Sequence, residues 1–415
     1  MFGGVALAVG LIEANGWLEP RTLEHFPRVF GAGAEGSRGL LTTIATSMIT
    51  VAGVVFSITL VALSQTSSQY TPRVLRNFMS DRVNQAVLGA FVGIFAYCLV
   101  VLRTIRGGDE GTFVPSMAVL VGLLLGFVGI VVLIHFIHHI STSIQASHIL
   151  AAAARETIRA VDRLFPEGVG EEEEVEDPEA IAAGKTWHTV GAGGTGYVQS
   201  LETDGLLDFA SERRTVVRME RRIGQFVIEG MPLVSVLGFV PSDDDRHRLG
   251  ELYAVGRQRT VEQDAEFGIR QIVDVALKAL SPGVNDTTTA VICVDHLSAI
   301  LVRLADRRIE SRYRGEDGEL RLLTRGPSYA DLVGEAFDQI RQNAAGNVAV
   351  LEALLGSLGL LEGRTKSPVR RRVLFAHALA VAELGRRSVP APRDLERIVD
   401  RSARTVESLG APAEE

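Results

Sequence analysis

Apolar residues crowd the first third of the chain and thin out after it. Three stretches, near 40–64, 84–104 and 113–139, reach the length of about 20 apolar residues that a helix needs to cross a hydrocarbon core. The opening MFGGVALAVGLI is apolar over only about half a span and lacks the basic start and cleavage site of a signal peptide. It reads as the end of a first span whose beginning is missing, giving four crossings, or as an interfacial helix if it is complete. Residues 1–140 are thus expected to form an α-helical transmembrane bundle of three to four spans.

Beyond the last span, STSIQASHILAAAARETIRAVDRLF keeps helical spacing with charge on its other face, so residues 141–166 are expected to extend that helix as far as Pro166. Residues 167–184 carry EGVGEEEEVEDPEA, a charge run that reads as a solvated linker. From 185 to 241, β-branched and polar residues alternate between glycines, the pattern of short strands in a small β-barrel or sandwich module, half of one of the lipoyl type. No lysine sits at a matching hairpin tip, so no swinging-arm cofactor is expected.

Residues 242–408 return to helix: 257–280, 287–305, 328–362 and 367–408 are expected helical, with a small hairpin at GEDGEL, 315–320. The oxygens of SDDD at 242–245 and of Asn285-Asp286 are expected to cap helices. Residues 409–415 are a polar tail. The expected fold is a membrane bundle joined to a cytosolic α+β region, a β module plus a helical bundle.

The second apolar stretch carries the chain's least expected pattern. At 100° per residue Thr43, Thr46, Thr50, Ser57, Ser64 and Ser68 share one face, with Ser47 and Gln65 at its edge and Val54 and Val61 interrupting it. Lipid has no use for such a face. Two readings compete: small hydroxyls bonding across a tight helix–helix seam, or the lining of a path for ions or small solutes that ends at Gln65, Ser68 and Gln69. Gly89 and Gly93, then Gly122 and Gly126, form GxxxG pairs suited to a compact bundle that also oligomerises. His135, His138 and His139 stand at the end of the last span, spaced for a proton or metal relay or for interfacial anchoring.

Composition sharpens this picture. Of 415 residues 47% are hydrophobic and 22% charged, and the mean hydropathy is +0.20, values of a membrane–soluble hybrid. A formal charge of −8 argues against nucleic acid as a partner. Cys98 and Cys293 lie far apart and form neither a metal-ligand pattern nor a disulfide framework. Arg73, Arg76 and Arg82 against Asp81 mark the 65–83 loop as cytoplasmic, which with four spans places both termini and everything after 140 inside; the loop at 103–112, with Arg103 and Arg106, weakens that contrast.

In the later region Glu262, Asp264, Glu266, Asp274, Asn285 and Asp286 could gather oxygens for a hard cation or coupling site, or form a solvated face and a cap. Arg213, Arg214, Arg218, Arg221 and Arg222 make a basic strip, paired within the fold or drawn to lipid headgroups. No GxSxG, Walker loop, HExxH or paired CxxC is present, and GAGGTGY at 191–197 precedes a strand-like stretch instead of opening a helix, so catalysis is not expected.

RTVEQDAEFGIRQIVDVALKALSPGVNDTTTA at 259–290 and AFDQIRQNA at 336–344, with SQYTPRVLRNF and GYVQSL, resemble the bacterial family of predicted membrane proteins catalogued as domain of unknown function 2254. The resemblance implies a multi-pass membrane protein with a cytosolic C-terminal region and supplies no chemistry. The function expected is an oligomeric ion channel or channel-like conduit in the inner membrane with a cytosolic regulatory region; the alternative is a membrane-anchored scaffold or sensor that transports nothing. The bilayer, further copies of the chain and ions are the expected partners, and no cofactor is expected.

Overall fold

The computed structural model describes residues 2–14, 33–69, 82–107, 113–143, 145–165, 182, 184–309, 312–314 and 319–410. Residues 70–81, the acidic run at 167–181 and the turn at 315–318 lie outside them. The chain divides into two compact units, Met1–His148 and Ile149–Glu415.

The first unit is helical: α1 (Phe2–Ala14), α2 (Ala34–Gln69), α3 (Arg82–Thr104) and α4 (Ser116–Ser143). The last three are long and apolar enough to span a membrane, while α1 is a shorter apolar helix. Glycine sets their spacing. A Cβ on Gly4 of α1 would run into the carbonyl of Gly93 on α3, so these two backbones touch. On α4, Gly122, Gly126 and Gly129 leave hollows that receive Leu41, Ile44 and Met48 of α2; a Cβ at Gly122 would stand 2.7 Å from Leu41 Cδ2 and one at Gly129 2.7 Å from Met48 Sδ. Both GxxxG pairs therefore place a glycine in contacts within one protomer. Arg38 donates to the Ile105 carbonyl at 2.7 Å and Tyr97, buried, to that of Ala118 at 2.7 Å, tying the helix ends together.

The helix expected through 113–165 is two helices. After Ser143 a new one, α5 (Ala146–Leu164), begins, and from Ile149 onward it belongs to the second unit. Its strongly one-sided pattern explains this: Leu150, Ala153, Ala154, Thr157, Ala160 and Val161 are buried.

The second unit opens with β1 (Trp187–Gly191), β2 (Gly196–Leu201), α6 (Thr203–Glu212), β3 (Val217–Met219), β4 (Phe226–Val227) and β5 (Pro232–Leu237). There follow α7 (Asp243–Glu251), β6 (Tyr253–Gly256), α8 (Ala265–Leu280), α9 (Thr287–Ala305), β7 (Arg312–Arg314) and β8 (Leu320–Leu323). Four helices close the chain: α10 (Tyr329–Asn343), α11 (Val348–Glu362), α12 (Pro368–Ser388) and α13 (Pro392–Leu409).

The strands build two open sheets, β1-β5-β3-β8-β7 and β4-β2-β6, and no closed barrel forms among the described residues. The 185–241 stretch is not self-contained, because β6 pairs with β2, and β8, about a hundred residues downstream, lies parallel to β3. Both sheets share one core with α6 and α7, which includes Val198, Phe209, Val217, Val234, Leu249 and Leu322. Gly224 and Gly230, among the glycines that punctuate the stretch, make turns at φ +85 and +81. Ser242 and Asp245 form a reciprocal capping box at the start of α7.

The expected helical stretches 328–362 and 367–408 are also divided. Gly346, at φ +74, and the cap Asn347 separate α10 from α11, and Val389 through Pro392 separate α12 from α13. An apolar run of spanning length does occur after residue 140: α9 qualifies by length and composition. Half of its apolar window is buried, and it packs against α8, α10 and α11, so its apolar character fills the core of this unit.

Candidate functional site

Two apolar–polar patterns coexist on α2. Leu41, Ala45, Met48, Ala52, Val55 and Ala62 are buried, at the alternating spacing of four and three that makes a straight seam on a helix. Thr43, Thr50, Ser57 and Ser64 recur every seven residues, and at 100° per residue they fall about 180° from the centre of that seam. All four are exposed, as are Thr46 and Gln65; the Ser68 side chain lies outside the described residues. The hydroxyl face is thus not the seam of the protomer, which small apolar residues occupy instead.

The hydroxyls have local partners. Thr43 Oγ1 donates to the Gly39 carbonyl and Thr50 Oγ1 to that of Thr46, each at 2.8 Å, so neither needs water. The upper half of the face is small and polar, with Thr43, Thr46, Ser47, Thr50 and Gly53, whereas Ser57 and Ser64 are flanked by exposed Phe56, Leu60 and Val61. Beside the upper half, Thr43 and Ser47 edge a groove of about 360 Å³ whose other walls, among them Met48, Phe91, Phe127 and Leu133, are apolar.

His135 and His139 stack on one face of α4, ring centroids 6.4 Å apart, and both His135 and His138 are exposed. Among the described residues no group of three or more His, Cys, Asp or Glu side chains is placed to hold a metal.

The acidic residues of the 259–290 run are not gathered around one point. Asp264 precedes α8 as its N-cap, accepting from the Phe267 amide at 2.9 Å, and takes a two-pronged ion pair from Arg259 at 2.7 and 2.9 Å. Asp274 lies on α8 and is engaged in the fold. Asn285 adopts φ +50, and Asp286 caps α9. Hydrogen bonds from the Thr289 hydroxyl and amide hold the Asp286 carboxyl below the usual carboxylate range.

Asp264 sits in a charged network to which elements outside the 259–290 run contribute Arg222 and Glu335. Arg222 and Arg259 approach Glu266 at 3.4 and 3.9 Å, and Arg270 pairs with Glu335 of α10. Burial raises the pKa of Glu266 despite the opposing charges of Arg222 and Arg259. Gly224 packs directly on the Arg259–Asp264 pair, and Gln263 accepts from the Leu201 amide at 2.9 Å. Residues from GYVQSL, from the 259–290 run and from α10 thus converge here. The available signal was Arg259 and Arg270, spaced among the acids of the run.

The basic strip is largely consumed inside the unit. Arg213 pairs with Asp245 at 2.6 Å, Arg218 with Glu220 at 2.5 Å while lying 4.4 Å over the Trp187 ring, and Arg222 with Glu266. Arg214 is exposed and Arg221 half-buried.

A membrane bundle followed by an α+β unit defines a hybrid membrane protein, and comparison with known proteins agrees. The family model Predicted membrane protein (DUF2254) matches residues 1–359, and the chain belongs to that family. It is 32% identical over 421 residues to Uncharacterized protein MT1328 of Mycobacterium tuberculosis (strain CDC 1551 / Oshkosh), covering 99% of this chain and 80% of the relative. Uncharacterized protein Mb1321c of Mycobacterium bovis is similar to the same extent, 32% over 421 residues with the same coverage. No solved structure matches the chain.

Proposed function

We propose that the chain is the protomer of an oligomeric channel or channel-like conduit of the inner membrane, with the second unit as its cytoplasmic regulatory part. The observation that carries this reading is the position of the hydroxyl row: Thr43, Thr50, Ser57 and Ser64 are exposed and lie opposite the buried seam of α2 within the first unit. Copies arranged about an axis would turn that row inward, where hydroxyls and backbone carbonyls replace part of the hydration shell of a passing ion. The arginines at 73, 76 and 82 support a cytoplasmic second unit.

One observation favours the alternative, a scaffold or sensor that conducts nothing. Thr43 and Thr50 already satisfy their donors on their own helix, which lets this face meet lipid at little cost. Ion flux into liposomes holding the purified chain separates the two. The conduit reading expects flux that Thr50→Leu with Ser57→Leu blocks at unchanged protein content. No flux across a range of pH and voltage, together with a stoichiometric protein partner on copurification, establishes the scaffold.

A further inference from the structure

We infer that the turn joining α11 to α12, with the outer face of α12, binds the anionic headgroups of a phospholipid bilayer. Arg364, Lys366 and Arg372 are exposed within nine residues. None of the three makes an ion pair among the described residues, whereas their neighbour Arg371 is held by Glu362 at 3.0 Å. Arg370 points the other way: it is 1% exposed, donates to the Leu304 and Ala305 carbonyls at 3.2 and 3.1 Å, and lies 4.9 Å over the Tyr329 ring. This turn is therefore a compact positive surface on a chain whose formal charge is −8.

The same surface is apolar. Core residues Arg370, Leu374, Ala378 and Val381 form the inner face of α12. On the outer face Val369, Arg372, Ala376 and Leu379 follow at helical spacing, with Val369 49% and Leu379 45% exposed. Leu360, one turn before Arg364, is 56% exposed. Aliphatic groups interleaved with cations suit the headgroup boundary, where the aliphatic side chains sink toward the acyl region and the cations meet phosphate.

A bilayer is the partner these features favour, because the chain carries its own apolar spans and so always holds a membrane within reach. Each cation near an anionic surface is worth roughly a fivefold gain in local binding, so the three together give roughly 100-fold. In the basic strip at 213–222, by contrast, Arg213, Arg218 and Arg222 spend their charge on Asp245, Glu220 and Glu266.

The test uses the full chain in lipid nanodiscs, carrying an environment-sensitive dye on Val369→Cys or, separately, on Leu379→Cys; the native Cys98 and Cys293 are buried and do not compete for label. Discs of phosphatidylcholine alone are compared with discs that also contain phosphatidylglycerol. The expected result is a blue-shifted emission, quenched by spin-labelled acyl chains, only in the anionic discs. High salt reverses it, and replacing Arg364, Lys366 and Arg372 together by Gln abolishes it. Identical emission in both lipids overturns the inference, and so does a shift that follows protein concentration instead of lipid composition, which would assign the face to a second copy. Since exchanging the lipid alters no residue, the outcome stands whether or not the triple variant folds.

Discussion

Substituting Gly268 tests the way α5 is held. This glycine lies in the first turns of α8, where alanine would ordinarily stabilise the helix by about 1 kcal/mol. Here a Cβ would collide with the Thr157 hydroxyl and stand 2.8 Å from its Cγ2 and 2.9 Å from its Cβ. Overpacking of this kind costs about 1–3 kcal/mol. The α5 helix cannot retreat freely, because Asp162 pairs with Arg303 and Arg307 at 2.6 Å each and Arg163 donates to the Glu262 carbonyl at 2.9 Å. Gly268→Ala should therefore destabilise the second unit by about 1 kcal/mol net. In a Thr157→Ala background only the contact to Cβ remains, so the penalty shrinks and the helical gain of alanine returns, giving a coupling of about 1–2 kcal/mol. Urea titration of the full chain in detergent, followed by fluorescence of Trp187 on β1 with Trp17 replaced by Phe, measures the cycle. If Gly268→Ala stabilises the Thr157 chain by the full helical gain, or the coupling is within error of zero, the packing argument is wrong.

Three further outcomes are expected. Burial lowers the pKa of His377, against the nearby charge of Asp338 at 3.7 Å. The unfolded chain then binds the extra proton first, so stability should fall as pH drops below about 6.5, by at most about 1.4 kcal/mol per pH unit, and His377→Gln should flatten that slope in pH-dependent melting. Asp286→Ala removes the cap of α9 and should cost about 1 kcal/mol, seen as faster hydrogen exchange of the Thr289 amide. Gly4→Leu should separate α1 from α3 at Gly93, so that a cysteine crosslink between those helices forms less efficiently than in the parent chain.

The charges around Arg259 and Arg370 show why part of the site was hidden. Interleaved Arg and Glu look alike whether they meet solvent or each other, and only the approach of Arg222, Arg270 and Glu335 from other elements makes a network of them. Arg370 and Arg371 are adjacent in sequence, yet one is buried against the end of α9 and the other is half-buried against Glu362. The split of 113–165 was equally hidden, since alanine-rich helical spacing continues across Ser143 and only docking on Val261 and Phe267 claims Ala160 for another core.

The chain alone determined its spans, its caps at Ser242 and Asp286, and the alternation that becomes strands, because hydropathy, capping oxygens and local periodicity act over a few residues. It also wrote two straight rows onto α2, one small and apolar, the other hydroxylated. Tertiary structure decided which row turned inward: the hollows at Gly122, Gly126 and Gly129 take Leu41, Ile44 and Met48, and a rigid helix that seats one side must present the other. The parallel pairing of β3 with β8 belongs to the same class, since strands about a hundred residues apart become neighbours only when the helices between them have packed.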